Sequence, residues 1–300
     1  MKRGEKEKEA LNKIREFLFC GMLSIPYKCD GKTAYECSVE EFKNNYFKYI
    51  NNKGNFYGFD NDDFVEILNA IRTAKENTNL SEFPDFLLED GFIEHFQITA
   101  SRENRKGSAE KIDVSIFKKK INNEVNEFYK YCNEKASYNQ VRSKRWIRNN
   151  LPEYSYENLV FSFKSNFEKH LKSLEKYNGE KDLSIFLIEN EEVNLEMYEN
   201  SYKDMENLRY DYPQRQEHFI RYMLSRDKNM LNYIYNFKDK IKYIIYFYEE
   251  NFEVIKVENI PELFKYLRNE YIILPRKIYE TYVVANVSKP FSLRSYNEQD

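Results

Sequence analysis

The feature that most constrains the fold is a short apolar run at residues 183–189, Leu-Ser-Ile-Phe-Leu-Ile-Glu. An apolar run of this length is typical of a strand whose two faces are both buried, because helices cover the sheet on each side. A long helix is predicted directly before it, over residues 156–177. Since helices and a few strands alternate along the chain, the sequence predicts a mixed α/β fold, with α+β as the alternative.

Hydrophobic periodicity predicts the other elements. The turn sequence Glu89-Asp90-Gly91 separates two strands of a hairpin, at 83–88 and 92–99. A second hairpin is predicted at 241–248 and 252–257, with short strands at 272–274 and 282–286. Helical patterns cover an amphipathic N-terminal segment around Leu11 to Met22, residues 60–76, 114–131 and most of 204–240, and a capping box at Ser38–Glu41 starts another.

These elements predict three consecutive regions. Residues 1–59 form an N-terminal helical segment, and residues 60–190 form an α/β core that carries a helical insertion at 101–155. Residues 191–300 form a C-terminal α/β extension, which we expect to pack on the same core. Only 8 Gly and 7 Pro are present, so long flexible linkers between these regions are not expected.

Composition restricts the location and the partners. The 47 basic and 50 acidic residues give a net charge of −3, so any nucleic-acid binding depends on local basic patches. The four cysteines do not form a disulfide framework or a usual zinc spacing, which favours a reducing, cytoplasmic location. No run approaches the roughly 18 apolar residues of a membrane span, so no membrane association is expected.

Two acidic residues on the first hairpin form the candidate site. Asp85 follows Pro84 on one strand, and Glu94 lies on the return strand. In a hairpin these two carboxylates can converge, and hard oxygen ligands of this kind suit Mg²⁺ or Mn²⁺. Such an ion can hold a phosphodiester, stabilise its growing negative charge and activate a water molecule.

The sequence Pro84-Asp85, followed by Glu94 nine positions later on the next strand, resembles the PD-(D/E)XK nuclease superfamily. The resemblance implies a restriction-endonuclease-like core, a mixed sheet flanked by helices, here with helical additions. It also implies a metal-dependent endonuclease that hydrolyses DNA, with Asp85 and Glu94 as catalytic residues and as ligands of Mg²⁺ (or Mn²⁺). A role in restriction or other defence against phage follows from the same resemblance.

The chain departs from the family motif after Glu94. The family has Lys two positions after the Glu, whereas this chain has Phe96. Strand alternation places His95 and Gln97 on the face opposite Glu94. The resemblance permits the missing role to pass to Gln97, Lys106, Lys164 or Lys169. The alternative function is a catalytically inactive, nuclease-like module that binds nucleic acid or protein.

Two basic segments are candidates for DNA binding. A loop directly after the Glu94 strand contains Arg102, Arg105 and Lys106, and a second segment contains Arg142, Lys144, Arg145, Trp146 and Arg148. Basic side chains beside an aromatic ring suit a nucleic-acid backbone. The alternatives are a solvated loop and a solvated helix face with Trp146 as its buried anchor. A homodimer or a protein partner, with no role in nucleic-acid binding, is a further alternative.

The histidines are assigned structural roles. His95 lies close to the candidate carboxylates and could act as a general base, but a half-buried, hydrogen-bonded position is favoured. His170 and His218 have no acidic or Cys neighbours at ligand spacing, so we expect no metal-binding role for either.

Overall fold

The computed structural model shows a mixed α/β fold, as the sequence predicts. It describes residues 4–23, 55–79, 82–101, 103–104, 107–134, 141–148, 154–190, 195–199, 219–248, 251–267, 271–275 and 280–287. Two compact units are present. Unit 1 comprises residues 1–100 and 155–275, and unit 2 comprises residues 101–154 and 276–300. The helix predicted after Ser38 and residues 204–218 of the helical stretch predicted at 204–240 lie outside the described residues.

The described residues form six α-helices and fourteen strands. The helices are α1 (Glu5–Leu23), α2 (Asn61–Thr73), α3 (Ala109–Glu134), α4 (Tyr156–Lys176), α5 (Lys228–Tyr235) and α6 (Ile260–Tyr266). The strands are β1 (Phe56–Tyr57), β2 (Lys75–Glu76), β3 (Phe86–Leu87), β4 (Gly91–Ile98), β5 (Glu103–Asn104), β6 (Gly107–Ser108), β7 (Val141–Arg148), β8 (Leu183–Asn190), β9 (Leu195–Glu199), β10 (Phe219–Arg221), β11 (Tyr243–Tyr248), β12 (Asn251–Lys256), β13 (Tyr271–Pro275) and β14 (Glu280–Val287).

Unit 1 is built on a seven-stranded mixed sheet with the order β1-β12-β11-β8-β4-β3-β2. The apolar strand β8 lies at its centre, parallel to both β4 and β11, and its residues from Leu183 to Ile188 are buried. The strand predicted from this run is therefore confirmed. The two predicted hairpins are also present, as β3–β4 and β11–β12.

Helices cover both faces of this sheet. Leu11 of α1 and Ile67 of α2 belong to one apolar core together with Ile93 and Ile185 of the sheet. On the other face, the ring of Phe167 in α4 lies 5.0 Å from that of Phe186. Since successive strand residues point to opposite faces, β4 directs its odd-numbered residues towards α1 and its even-numbered residues towards α4.

Helix α4 places its last turns over β4. Its N-cap residue is Ser155, whose hydroxyl accepts a hydrogen bond from Asn158 N at 3.1 Å. Its buried stripe includes Phe163, Phe167 and Leu171, so the same face of the helix follows the sheet over its whole length. His170 therefore reaches the strand that carries Glu94.

Unit 2 contains a two-stranded antiparallel ribbon of β7 and β14, packed on α3. Its small core comprises Ile121, Trp146 and Val284. The basic segment is thus a strand, and the interpretation as a solvated helix face is wrong. The expectation that Trp146 is a buried anchor is correct, since this side chain is only 7% exposed.

A smaller three-stranded sheet, β10-β9-β13, completes unit 1. Both outer strands pair antiparallel with β9. Of the predicted helical stretch 204–240, the described part contains the strand β10, a short 3-10 helix at Leu224–Arg226 and the helix α5. In the described residues, no helix is both long enough and apolar enough to cross a membrane.

Candidate functional site

The structure brings Asp85 and Glu94 together where β4 extends beyond its short pairing with β3. Strand β3 pairs with Phe92 and Ile93 only, so Glu94 lies beyond the last paired residue. The backbone N–H of Asp85 donates to Glu94 Oε2 at 3.0 Å, and the backbone N–H of His95 donates to Asp85 Oδ2 at 2.8 Å. These reciprocal bonds replace the strand ladder and hold the two carboxyl groups side by side.

Burial makes two negative charges at this point unfavourable. Burial and the neighbouring Glu94 carboxylate together raise the pKa of Asp85 to about 7. Burial also raises the pKa of Glu94 to about 7, although hydrogen bonds from Asp85 oppose this shift. The pair therefore keeps a proton near neutral pH, or requires a cation to ionise fully.

Glu7 of α1 adds a third acidic group. Its charge raises the pKa of both Asp85 and Glu94, and its Oε2 atom is buried without a hydrogen-bond partner in the described part of the chain. With Pro84 and Asp85, it lines a cavity of about 10 Å³, enough for one water-sized species. No sequence signal indicated Glu7, because its approach to the hairpin depends on how α1 packs.

His170 contacts Glu94 from the other side. Its Nδ1 atom lies 2.6 Å from Glu94 Oε1, and its ring stacks on Phe96 with centroids 4.8 Å apart. Burial and, to a smaller extent, the charge of Lys169 lower the pKa of His170 to about 4. At neutral pH the ring is therefore uncharged and does not neutralise the carboxylates. Sequence spacing missed this residue because it lies 76 positions from Glu94.

His95 and Gln97 lie on the α1 side, as strand alternation predicts. Gln97 Nε2 donates to Glu189 Oε2 at 2.7 Å, and Gln97 Oε1 accepts from Lys6 Nζ at 3.1 Å. His95 Nε2 lies 3.3 Å from the same Glu189 oxygen. Burial favours a raised pKa for Glu189, but the nearby His95 ring and the hydrogen bond from Gln97 outweigh it and hold the pKa at about 2. The Gln97 amide is therefore engaged away from Glu94.

The lysines predicted to replace the Lys of the family motif do not contact Asp85 or Glu94 in the described residues. Lys164 Nζ lies 4.8 Å from the ring centroid of Tyr233, and Lys169 acts on His170 through its charge. Lys106 lies outside the described residues, as do Arg102 and Arg105. In the described ranges, no Lys or Arg forms an ion pair with Asp85 or Glu94.

The basic segment of unit 2 is partly engaged within the unit. Arg142 lies over the Tyr131 ring at 5.4 Å. Lys144 Nζ donates to Glu124 Oε2 at 3.0 Å, and Trp146 Nε1 donates to the same oxygen at 2.6 Å. Alternation places Arg145 on the ribbon face opposite Trp146, where it is exposed. Arg148 pairs through its backbone with Glu280.

The donor set suits a hard divalent cation. In the described residues, no group of three or more His, Cys, Asp or Glu side chains is arranged as a metal site. Mg²⁺, however, commonly takes only one or two carboxylates and retains several waters. Asp85 and Glu94 offer oxygen ligands without sulfur, which fits Mg²⁺ or Mn²⁺ rather than a structural zinc ion.

Comparisons with known proteins identify no relative. No protein-family model matches the sequence, and neither curated proteins nor solved structures give a significant match. The functional argument therefore depends on the geometry of the site itself.

Proposed function

We propose that this protein is a Mg²⁺-dependent (or Mn²⁺-dependent) nuclease that hydrolyses phosphodiester bonds of DNA, with Asp85 and Glu94 as the metal ligands. The observation that carries the proposal is the pair of adjacent carboxyl groups, Glu94 buried and Asp85 partly buried, whose pKa values are both raised to about 7. Clustered acids without a paired Lys or Arg have an unfavourable charge that a divalent cation would neutralise.

The roles of the surrounding residues follow from their contacts. When bound, the ion would supply electrostatic stabilisation of the phosphate and a more acidic water. Glu7 adds negative charge that strengthens attraction for the cation. The neutral His170 ring holds Glu94 Oε1 in place, and its stack on Phe96 fixes the ring plane.

DNA as the partner is supported by the charge distribution. Strand β7 carries Arg142, Lys144, Arg145 and Arg148 within eight residues, although the whole chain has a net charge of −3. Such a local cluster favours phosphate contacts, which release counterions on binding. The exposed Arg145 offers the clearest contact.

The order of the elements supports the family resemblance. Helix α2, the antiparallel strands β2–β4, helix α4 and strand β8 follow one another as the PD-(D/E)XK resemblance implies. The proposal therefore includes a cytoplasmic role in restriction or other defence against phage. A homodimer or a protein partner stays a prediction.

A plasmid assay tests the proposal. Supercoiled DNA is incubated with the full chain in Mg²⁺, in Mn²⁺ and in EDTA, together with Asp85→Asn, Glu94→Gln and the control Asp90→Asn in the hairpin turn. We expect metal-dependent nicking by wild type and Asp90→Asn, with a loss of about 100-fold or more in the two site variants. Absence of cleavage by wild type in both metals contradicts the nuclease proposal.

The second candidate is a nuclease-like module that binds without cutting. It is favoured by Phe96, whose ring occupies the motif position of the Lys and stacks on His170. This candidate predicts salt-dependent DNA binding by wild type that Asp85→Asn and Glu94→Gln retain, with no cleavage by any of them. An electrophoretic mobility assay beside the plasmid assay separates the two candidates.

A further inference from the structure

Unit 1 contains a larger cavity that the carboxylate site does not use. Its volume is about 730 Å³, within the range of about 300–1,000 Å³ that is typical of small-molecule sites. Its wall is formed by the first turns of α4 and α5 and by strand β13. Tyr156 at this wall and His170 at the carboxylates lie about 21 Å apart along α4, at about 1.5 Å per residue.

An arginine and a tyrosine form one side of this cavity. Arg226 Nη1 donates to the Tyr271 hydroxyl at 2.6 Å, and its guanidinium carbon lies 5.6 Å from the centroid of the Tyr271 ring. This contact fixes the guanidinium and the ring together on the wall. Guanidinium planes and aromatic rings are the groups on which proteins stack nucleobases.

Amide side chains face the same cavity from α5. Asn229 and Asn232 are three residues apart on the helix, so they lie on one face, and both line the cavity. Each amide offers donors and an acceptor, the combination that pairs with the edge of a base. Met197, Ile273 and Pro275 supply apolar surface beside them.

The wall contains two cationic side chains that an anionic ligand can contact. Arg226 and Lys228 are cationic, and the opposing acids are Glu157 and Asp227. The Asp227 carboxylate is buried and already accepts hydrogen bonds from the Tyr156 and Tyr222 hydroxyls, each at 2.7 Å, and from Met230 N at 3.1 Å. These hydrogen bonds direct the Asp227 carboxylate towards the two tyrosines and its own helix, so Arg226 and Lys228 are the groups of the wall that a phosphate would contact.

We propose that this cavity binds a phosphorylated nucleoside, with the base near Arg226, Tyr271 and the α5 amides and the phosphate near Arg226 and Lys228. The ligand could be a free mononucleotide or the phosphorylated end of a nucleic-acid strand, which share this chemistry. The site is separate from the carboxylates and does not require the proposed nuclease activity.

Binding measurements on the full chain in EDTA test this site without metal at the carboxylates. Isothermal titration uses adenosine monophosphate, adenosine, inorganic phosphate and a 5′-phosphorylated oligonucleotide as probes. Asn232→Trp fills the cavity from an exposed position, Arg226→Gln removes the cation, and Lys238→Gln is the control on a distant exposed turn.

Two results support the site. Either the mononucleotide binds with a Kd below about 1 mM, at least about tenfold tighter than adenosine or phosphate alone, or only the phosphorylated oligonucleotide binds in that range. In both cases Asn232→Trp weakens binding about tenfold or more and Lys238→Gln does not. The inference is overturned if no nucleotide probe binds below about 1 mM, or if Asn232→Trp binds as wild type does.

Discussion

Glu94 Oε1 lies 2.6 Å from Nδ1 of His170, and the same imidazole ring stacks on Phe96, two residues further along the strand. A single side chain from α4 thus contacts both the acidic residue and the position where the resembling family has Lys. Because burial holds the pKa of His170 at about 4, the contact orients Glu94 without adding a positive charge.

The first prediction separates the hydrogen bond of His170 from its packing. His170→Phe keeps a ring against Phe96 but removes the nitrogen that contacts Glu94, so cleavage should fall about tenfold or more. The free energy of unfolding should change by less than about 2 kcal/mol. His170→Asn, whose amide can reach the Nδ1 position, should recover part of the activity. Equal activity of His170→Phe and wild type contradicts the orienting role.

The second prediction concerns Glu7. Its charge raises the pKa of both Asp85 and Glu94, so Glu7→Gln should lower both pKa values. We expect the metal-free protein to gain about 1 kcal/mol in unfolding free energy. The extra stabilisation by Mg²⁺ should become smaller. Thermal denaturation with and without Mg²⁺ measures both effects, and Glu16→Gln on the exposed side of α1 is the control. If Mg²⁺ stabilises Glu7→Gln as much as it stabilises wild type, Glu7 does not contribute to binding of the cation.

The third prediction is a pH dependence from Glu253, a fully buried acid on β12. Its carboxyl group accepts hydrogen bonds from Leu224 N at 2.6 Å and from the Ser225 hydroxyl, yet burial raises its pKa to about 7. The ordinary pKa of Glu is 4.5, so the unfolded chain loses this proton first as the pH rises. The stabilisation is complete below about pH 4.5 and is lost as the pH rises through about 7.

Glu253→Gln removes this titration. Between about pH 4 and pH 8, wild type should lose about 3 kcal/mol more unfolding free energy than the variant. Urea denaturation at both pH values measures the difference, and other titrating groups cancel in the comparison. If both proteins lose the same unfolding free energy between the two pH values, the pKa of Glu253 is not raised.

The fourth prediction concerns DNA binding by the β7–β14 ribbon. Arg145 is exposed on the face opposite Trp146, so Arg145→Gln should weaken binding and reduce the slope of log K against log salt by about 1. Lys119→Gln, an exposed change on α3, is the control. Fluorescence anisotropy over a salt series gives the slope, and an unchanged slope in Arg145→Gln excludes a phosphate contact there.

Much of the fold could be predicted because the sequence signals for its main elements come from neighbouring residues. The apolar run of β8, the turn at Asp90-Gly91 and the periodicity of α4 each depend on neighbouring residues, and all three are present. The strand identity of β7 was less evident, since Arg142, Lys144 and Trp146 gave no clear alternation. Its partner β14 lies more than 130 positions away, and this pairing decides its structure.

The candidate site was only partly accessible from sequence. Asp85 and Glu94 were identified because a hairpin brings them together over nine positions. Glu7 and His170 reach the site only through the packing of α1 and α4 on opposite faces of the sheet, a relationship that no spacing encodes. Gln97 was correctly placed on the opposite face, but its bond to Glu189 depends on the parallel register of β4 and β8.

Metal binding by Asp85 and Glu94 is the central claim, and titration with Mn²⁺ followed by electron paramagnetic resonance tests it most directly. We expect wild type and the turn control Asp90→Asn to bind one Mn²⁺ ion per chain, and Asp85→Asn and Glu94→Gln to bind it at least about tenfold more weakly. Failure of wild type to bind Mn²⁺, or equal affinity in all four proteins, would contradict the assignment of these two carboxylates.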